Sequence, residues 1–371
     1  MHTRSIRRAV ALAGALVLGT AGLAACGGGG GGSSTSSSGG KSGTVALLLP
    51  ENKTTRYEAQ DKPLFEKRFK QLCPNCKIIY SNAEQDPAKQ QSQAEAAITN
   101  GAKVLVLDPV DAKAAASIVT RAKSSGIPVV SYDRLIENAD VNYFISFDNR
   151  KVGELQATAL VDKLKGEGKA NAKIVMINGS PTDSNAADFK AGAHSVLDKS
   201  GLTIAKEYDT PDWSPDKAQT EMEQAITALG KGGFAGVYAA NDGTAGGAVA
   251  AMRSNGVDPT TRPSTGQDAE LAGIQRIVVG QQYMTVYKAI NEEAPQAAEL
   301  AYGLLQGKTS SSLVNRHMNN GKISVPSVIL TPVTVTQKNI DSTVVKDNFW
   351  TVSQICTSAY AAGCKKIGLT S

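Results

Sequence analysis

From Thr44 onward the chain repeats one pattern: a short, β-branched apolar run, then a longer segment with apolar residues at helical spacing, then another apolar run. Strands separated by helix-length segments pair most simply in parallel, because each helix carries the chain back across the sheet. The strands expected are Val45 to Leu49, Ile78 to Tyr80, Val104 to Leu107, Val129 to Tyr132 and Phe144 to Phe147. Two intervening helices are marked at both ends. One has Asp86 as N-cap, Pro87 in its first turn and Gly101 beyond its end; the other has Asp111 as N-cap and Gly126 closing it. Asn149 is expected to cap a further helix. The pattern then restarts with strands Ile174 to Ile177, Thr203 to Ala205, Gly236 to Ala240 and Tyr283 to Val286. In this second series Ser214 and Pro215 head a helix with Ala218, Met222, Ala225, Ile226 and Leu229 on one face and Gly230 after them. A body of roughly 330 residues exceeds what one core supports, so the expected fold class is α/β with two similar doubly wound parallel-sheet lobes.

The segment before this body has a different composition. Arg4, Arg7 and Arg8 precede the apolar stretch Ala9 to Val17, and small residues lead to Leu23, Ala24, Ala25 and Cys26. Residues 1–25 therefore read as a signal peptide of the lipoprotein kind, with Cys26 as the lipidated new N-terminus. Gly14, Gly19 and Gly22 interrupt the apolar stretch, which is shorter than the roughly 20 residues a membrane span needs. Residues 26–43, almost all Gly and Ser after the cysteine, read as a flexible tether with a reach of roughly 20–25 Å. The chain is thus expected to be exported and held by lipid on the outer face of the cytoplasmic membrane. Three of the 39 basic residues lie in the signal, leaving 36 against 34 acidic ones, which supplies no electrostatic footprint for nucleic acid.

Besides Cys26 the chain has Cys73, Cys76, Cys356 and Cys364, an even number in an exported protein, which favours two short-loop disulfides. Two alternatives stand beside this. Cys73 to Cys76 has the spacing of a redox pair, although it lies where a helix gives way to a strand rather than the reverse. The four together have the composition of a zinc site, although the gap between Cys356 and Cys364 is wide for a zinc knuckle.

Open parallel sheets bind ligands beyond the carboxyl ends of their strands. There the sequence places Arg56 and Tyr57, Asp133 and Arg134, Asp183 and Asn185, Trp213, Asn241 and Asp242, Asp268, and Lys288. Asp, Asn and Arg groups hold pairs of hydroxyls, each of which both donates and accepts, and aromatic rings pack on the apolar faces of a pyranose. Taken together they describe a sugar site. Taken singly, an Asp or Asn after a strand is equally a helix cap, and Asn241-Asp242-Gly243 is equally a turn.

Four strings carry a resemblance: Tyr132-Asp133-Arg134, Phe144 to Asn149, Gly266-Gln267-Asp268-Ala269 and Met284 to Lys288. Through them, and from about Val45 to about Trp350, the chain resembles the ribose/galactose-type sugar solute-binding family of ABC importers, and within it the xylose-binding proteins. The resemblance implies type I periplasmic-binding-protein-like lobes joined by a three-crossing hinge, with crossings near Phe147, Thr285 and Leu330. The lobes would be 44–147 plus 286–329 and 148–285 plus 330–350, followed by a tail, 351–371, that carries a cysteine pair and lies outside the resemblance. It implies a monosaccharide, D-xylose foremost, held by Arg56, Tyr57, Asp133, Arg134, Asn185, Trp213, Asn241, Asp268 and Lys288. It also implies a monomer that delivers the sugar to an ABC permease, with no cofactor. Tyr57 departs from the family, which carries tryptophan or phenylalanine there, and Thr182-Asp183-Ser184-Asn185 lacks a middle asparagine.

Rival functions fit less well. A glycosidase would use Asp133 and Asp268 as its carboxyl pair, but Arg134 beside Asp133 favours an ionised acceptor over a proton donor. Gly-x-Ser-x-Gly is missing, and His194 and His317 make no metal-ligand spacing. Gly303, Gly307, Lys308 and Thr309 approach a phosphate loop but end a helix. A sugar-responsive regulator shares the core but carries a helix-turn-helix where this chain has an export signal. A receptor presenting the sugar to a membrane sensor is left as the alternative to an importer.

Overall fold

The computed structural model describes residues 42–370. The expected signal peptide, the expected lipidation site Cys26 and the expected tether up to residue 41 lie outside the described residues. Among the described residues no helix is long and apolar enough to cross a membrane.

The first strand series forms one sheet: β1 (Thr44–Leu49), β2 (Lys77–Asn82), β3 (Ala102–Leu107), β4 (Val129–Tyr132) and β5 (Tyr143–Phe147), connected by α1 (Lys62–Leu72), α2 (Pro87–Thr99) and α3 (Ala116–Ser124). These strands run parallel in the order β2-β1-β3-β4-β5. Val45, Leu47 and Leu49 enter one core while Ala46 and Leu48 enter another on the opposite face. Both faces are covered, which is why β1 is continuously apolar instead of alternating.

The second series follows: α4 (Asn149–Gly166), β6 (Lys173–Asn178), α5 (Ser184–Leu197), β7 (Thr203–Asp209), α6 (Pro215–Leu229), β8 (Gly236–Ala239), α7 (Asp242–Ser254) and α8 (Leu271–Val278). Its strands form a parallel sheet in the order β7-β6-β8, with Ile174 and Met176 in one core and Val175 and Ile177 in another. The rest of the chain supplies β9 (Thr285–Tyr287), α9 (Ile290–Leu305), β10 (Arg316–Asn319), β11 (Ser324–Leu330), β12 (Val333–Val335), α10 (Val352–Ile355) and α11 (Ala361–Lys366). β11 returns to the first sheet parallel to β5, β10 adds an antiparallel edge, and β12 pairs antiparallel with β9.

The end signals of α2 and α6 work as read. The Asp86 carboxylate accepts from the amides of Ala88 and Lys89, Pro87 opens the helix, and Gly230 ends α6 with φ of +78°. Three expectations are corrected. Asp111 accepts from Lys113 and Ala114 and caps the turn 112–115, which leads directly into regular helix α3 at Ala116. The cap of α4 is Asp148, whose carboxylate accepts from the Lys151 amide; Asn149 is already helical. Residues 283–286 do not join β8 directly. The stretch 264–266 intervenes, bonded to Val237 on one side and to Tyr283 and Val286 on the other, and the extended strand proper is Thr285–Tyr287.

Both cysteine pairs are disulfides, Cys73–Cys76 and Cys356–Cys364, so their sulfurs are spent and supply no thiolates for zinc. Cys73 follows the last turn of α1 and Cys76 precedes β2.

α4 and α5 cross with their backbones nearly touching. A Cβ on Gly153 would lie 1.9 Å from the Phe189 carbonyl oxygen, and one on Gly192 would lie 2.1 Å from that of Arg150. No side-chain rotation relieves a clash with backbone, so the helices would have to separate. Gly153→Ala is expected to lower stability by about 1–3 kcal/mol. Chemical denaturation checks this, and an unchanged midpoint contradicts the packing described.

Candidate functional site

The carboxyl ends of the two sheets face a common space. Asp133 and Arg134 follow β4 directly, Asn185 lies in the first turn of α5 after β6, and Trp213 ends a 3-10 turn after β7. Asn241 follows β8, Asp268 follows the stretch 264–266, and Lys288 follows β9. Together with Arg56 and Tyr57, all nine line a single cavity, which the side chains fill to a free volume of about 10 Å³. A much larger depression of about 1170 Å³, between α4 and α11, is open to solvent and contains none of them.

The backbone is bent to aim these groups. Asp133, Trp213 and Asp268 have φ of +54°, +53° and +90°, a region that non-glycine residues seldom occupy. Arg134 N–H bonds the Tyr132 carbonyl at 2.6 Å, closing a tight three-residue turn around Asp133. Strain of this kind persists where the surroundings hold it, and it concentrates at ligand clamps.

Arg56 is buried at the centre. Its Nε and Nη2 form a fork on the Asp61 carboxylate at 3.0 and 2.7 Å, and Nη2 also donates to Glu293 at 3.2 Å. Tyr132 Oη adds a bond to Asp61 at 2.5 Å, fixing that carboxylate in turn. Nη1 points the other way, toward Asp133 and Asp268, each at 3.4 Å. Lys288 Nζ faces the same two oxygens at 3.4 and 3.2 Å. Two carboxylates and two cations thus alternate around one point. The contacts behind Arg56 are tight, whereas those in front are at or beyond the long end of the normal range.

The electrostatics follow from this geometry. Burial pushes the Asp133 carboxyl up, but Arg56, Lys288 and Arg134 together, with the Tyr57 hydroxyl donating at 2.9 Å, hold it well below the usual carboxylate range. For Lys288, burial and Arg56 disfavour the charge, yet Asp133 and Asp268 keep its pKa raised. Burial drives Glu293 well above the ordinary value, with Asp133 adding to the push. Asp133 is therefore an ionised acceptor, not the proton-donating acid of a glycosidase pair.

Arg134 organises a second cluster: its Nε lies 2.8 Å from Asp183 and 3.6 Å from Asp108, and its Nη2 lies 3.8 Å from Glu51. Burial raises the pKa of all three acids against the pull of Arg134, that of Asp108 furthest from its ordinary value. From the second sheet, Asn185 donates to the Asp133 carbonyl at 3.0 Å and accepts from Asn149 at 2.8 Å. Trp213 donates its indole N–H to Asp183 at 3.0 Å and meets Phe189 edge-on. Asn241 is also a helix cap, its Oδ1 taken by the Thr244 amide.

Several residues that hold the site escaped the sequence reading. Asp61 and Glu293 anchor Arg56, and Phe189, Thr54 and Gln267 complete the cavity wall. Asp242, named from the sequence among the strand-end groups, does not line the cavity: it is buried, with its pKa pushed by burial up to about 7, and it fastens the Asp268 loop by accepting from the Glu270 amide, Thr285 Oγ1 and Gln282 Nε2. Asp108 follows β3 directly, so the strand-end rule would have included it. Glu293 carried a signal too: it is an acid on the apolar stripe of α9 that holds Ile290, Ala294 and Ala297.

Two parallel sheets sharing a buried polar cavity at their carboxyl ends have the architecture of a solute-binding protein. The family model described as a periplasmic binding protein domain matches residues 45–309. This chain belongs to that family. It is 39% identical to the D-xylose-binding periplasmic protein of Haemophilus influenzae over 315 residues, covering 84% of this chain and 91% of the relative. It is 38% identical to the protein of the same description from Escherichia coli K12, over 85% of this chain and 93% of that one. Among solved structures, a carbohydrate transporter solute-binding protein from Chloroflexus aurantiacus in complex with D-glucose superposes with a TM-score of 0.76 at 30% identity, covering 84% of this chain and 97% of that one. These matches bear out the resemblance and the type I periplasmic-binding-protein fold read from the four strings.

Removing the central guanidinium would leave Asp61, Glu293, Asp133 and Asp268 facing one another in the interior. Arg56→Met is expected to lower stability by about 3–5 kcal/mol near neutral pH. Burial already raises Glu293 and Arg56 opposes that push, so without the cation the folded form binds a proton there more readily as pH falls and the deficit against the unaltered protein shrinks. Denaturation at two pH values checks both points; a deficit that grows on acidification contradicts the charge assignment.

Proposed function

We propose that this protein captures a monosaccharide, D-xylose foremost, between its two sheets and delivers it to an ABC permease. The observation that carries the reading is the ring of Asp133, Asp268, Arg56 and Lys288 in a buried cavity shared with Tyr57, Phe189 and Trp213. The free volume of about 10 Å³ is that of a single water, so in this arrangement the side chains occupy the space a sugar ring would take. The 3.2–3.4 Å contacts across the ring are the ones sugar hydroxyls replace, each hydroxyl donating to a carboxylate and accepting from a cation. The nine residues named from the sequence are the proposed contacts.

Because the cavity is buried, the sugar enters when the sheets part. Polar bonds span the cleft: Asn185 to the Asp133 carbonyl, the Leu135 amide to Ser184 at 2.9 Å, the Thr55 amide to Glu270 at 3.0 Å, and Gln85 to the Asp212 carbonyl at 3.2 Å. Such bonds exchange with water at little net cost. We take the lobes to be 44–147 plus 286–329 and 148–285 plus 330–350, hinged near Phe147, Thr285 and Leu330, with closure completing the sugar's hydrogen bonds. Export under the signal peptide and lipidation at Cys26 place a monomer on the outer face of the cytoplasmic membrane, within tether reach of its permease. A membrane sensor is the alternative recipient, since either partner would read the closed shape.

Xylose is favoured by the 39% identical relative described as binding it. Calorimetry across a panel of pentoses and hexoses is expected to give D-xylose micromolar or tighter affinity, about −8 kcal/mol or better, ahead of glucose, galactose and ribose. Tighter binding of glucose or galactose would overturn xylose, and binding of none would overturn the sugar reading.

A further inference from the structure

The segment beyond β12 lies outside the site, and its disulfide-bearing end, 351–371, lies outside the resemblance, yet the segment packs behind three of those that carry the proposed contacts. Gln60, three residues after Tyr57, donates to the Phe349 carbonyl at 3.0 Å. The Phe349 ring meets Tyr287, the neighbour of Lys288, edge-on with centroids 5.1 Å apart. Trp350 Nε1 donates to the Ala269 carbonyl at 2.8 Å, directly after Asp268.

The last of these bonds falls where the backbone most needs support. Asp268 and Ala269 are consecutive non-glycine residues with φ of +90° and +48°. Two successive residues in this region hold only if neighbours over-determine them. Three amides of the loop are bound from the site side: Asp268 N–H to the Val286 carbonyl at 2.9 Å, Ala269 N–H to Thr285 Oγ1 at 3.2 Å, and Glu270 N–H to Asp242 at 2.9 Å. The Ala269 carbonyl is bound from behind, by Trp350.

Trp350 is in turn held by the tail. The Cys356–Cys364 disulfide ties α10 to α11. Gln275 on α8 donates to the Gln354 carbonyl at 3.1 Å, and Gly363 sits so close to Val278 and Val279 that a Cβ there would lie 2.9 and 3.0 Å from their methyl carbons. The tail therefore grips α8, the helix that continues the Asp268 loop.

We propose that Trp350 is a positioning residue for sugar binding: through the Ala269 carbonyl its indole N–H holds Asp268 in its strained, ligand-facing conformation, with the disulfide-closed tail as the frame. The proposal rests on the sugar-binding reading above. Trp350 touches no sugar; it acts through Asp268.

Trp350→Phe keeps a ring in place and removes the donor. It is expected to raise the Kd for D-xylose about tenfold in the otherwise unaltered protein and less than twofold in an Asp268→Asn background, because a residue acting through Asp268 loses its effect once that carboxylate is gone. A merely structural role would give the same factor in both backgrounds; that result, or no change in either, overturns the proposal. Hydrogen exchange in Trp350→Phe gives an independent reading when Asp268→Asn binds too weakly to measure. Faster exchange at the Ala269 and Glu270 amides with β6 unchanged supports the proposal; uniform acceleration, or none, overturns it. A protein that binds no sugar on the panel defeats the functional reading, and hydrogen exchange still decides whether Trp350 holds the loop.

Discussion

The structure is organised around one buried cation. Arg56 has no route to water, so its charge persists only because acids from four separate segments surround it: Asp61 on the turn before α1, Glu293 on α9, Asp133 after β4 and Asp268 after the 264–266 stretch. A buried ion pair adds little net stability once desolvation is counted, but breaking one is costly. The cluster is therefore better understood as a specification of geometry than as glue. Asp61 and Glu293 hold the guanidinium from behind, so the position of Nη1 is settled before any ligand arrives. Asp133 and Asp268, from the two sheets, meet in front of it. Net charge around the front face is close to zero, as suits a neutral solute rich in hydroxyls.

Much of the fold was legible because its signals are local. An apolar run covered on both faces, a capping carboxylate with proline after it, and a glycine beyond the last turn each act within a few residues. They placed β1 to β8 and located α2 and α6 closely. The errors arose where a local signal had a different local use. Asp111 satisfies two amides as a helix cap would, but the turn it caps is irregular, so regular helix begins only at Ala116. The stretch 264–266 was missed because Ser264-Thr265-Gly266 has no apolar run, and its extended form comes from neighbours on both sides. The tail was unreadable for the same reason: its helices are short, and their burial depends on α8 and β9.

The site was legible to the extent that topology dictates it. Strand ends converge in a parallel sheet, so polar and aromatic residues just after strands are gathered automatically, and the nine residues do line one cavity. The residues supporting them were not legible, because their contacts span long separations in sequence. Glu293 lies 237 positions from Arg56, and Trp350 lies 81 from Ala269. Only a charged residue on an otherwise apolar stripe, as Glu293 is, betrays such a role in advance.

The central claim is that sugar and hinge are one equilibrium: the sugar replaces the long contacts around Arg56 and Lys288, and the gain is realised only when both sheets contribute. Moving a population from mostly open to mostly closed takes about 5 kcal/mol of differential affinity, which a few charge-assisted hydrogen bonds supply. Small-angle X-ray scattering of the mature protein with and without saturating D-xylose tests this most directly. The account predicts a smaller radius of gyration with sugar bound; a radius unchanged at saturation would contradict it.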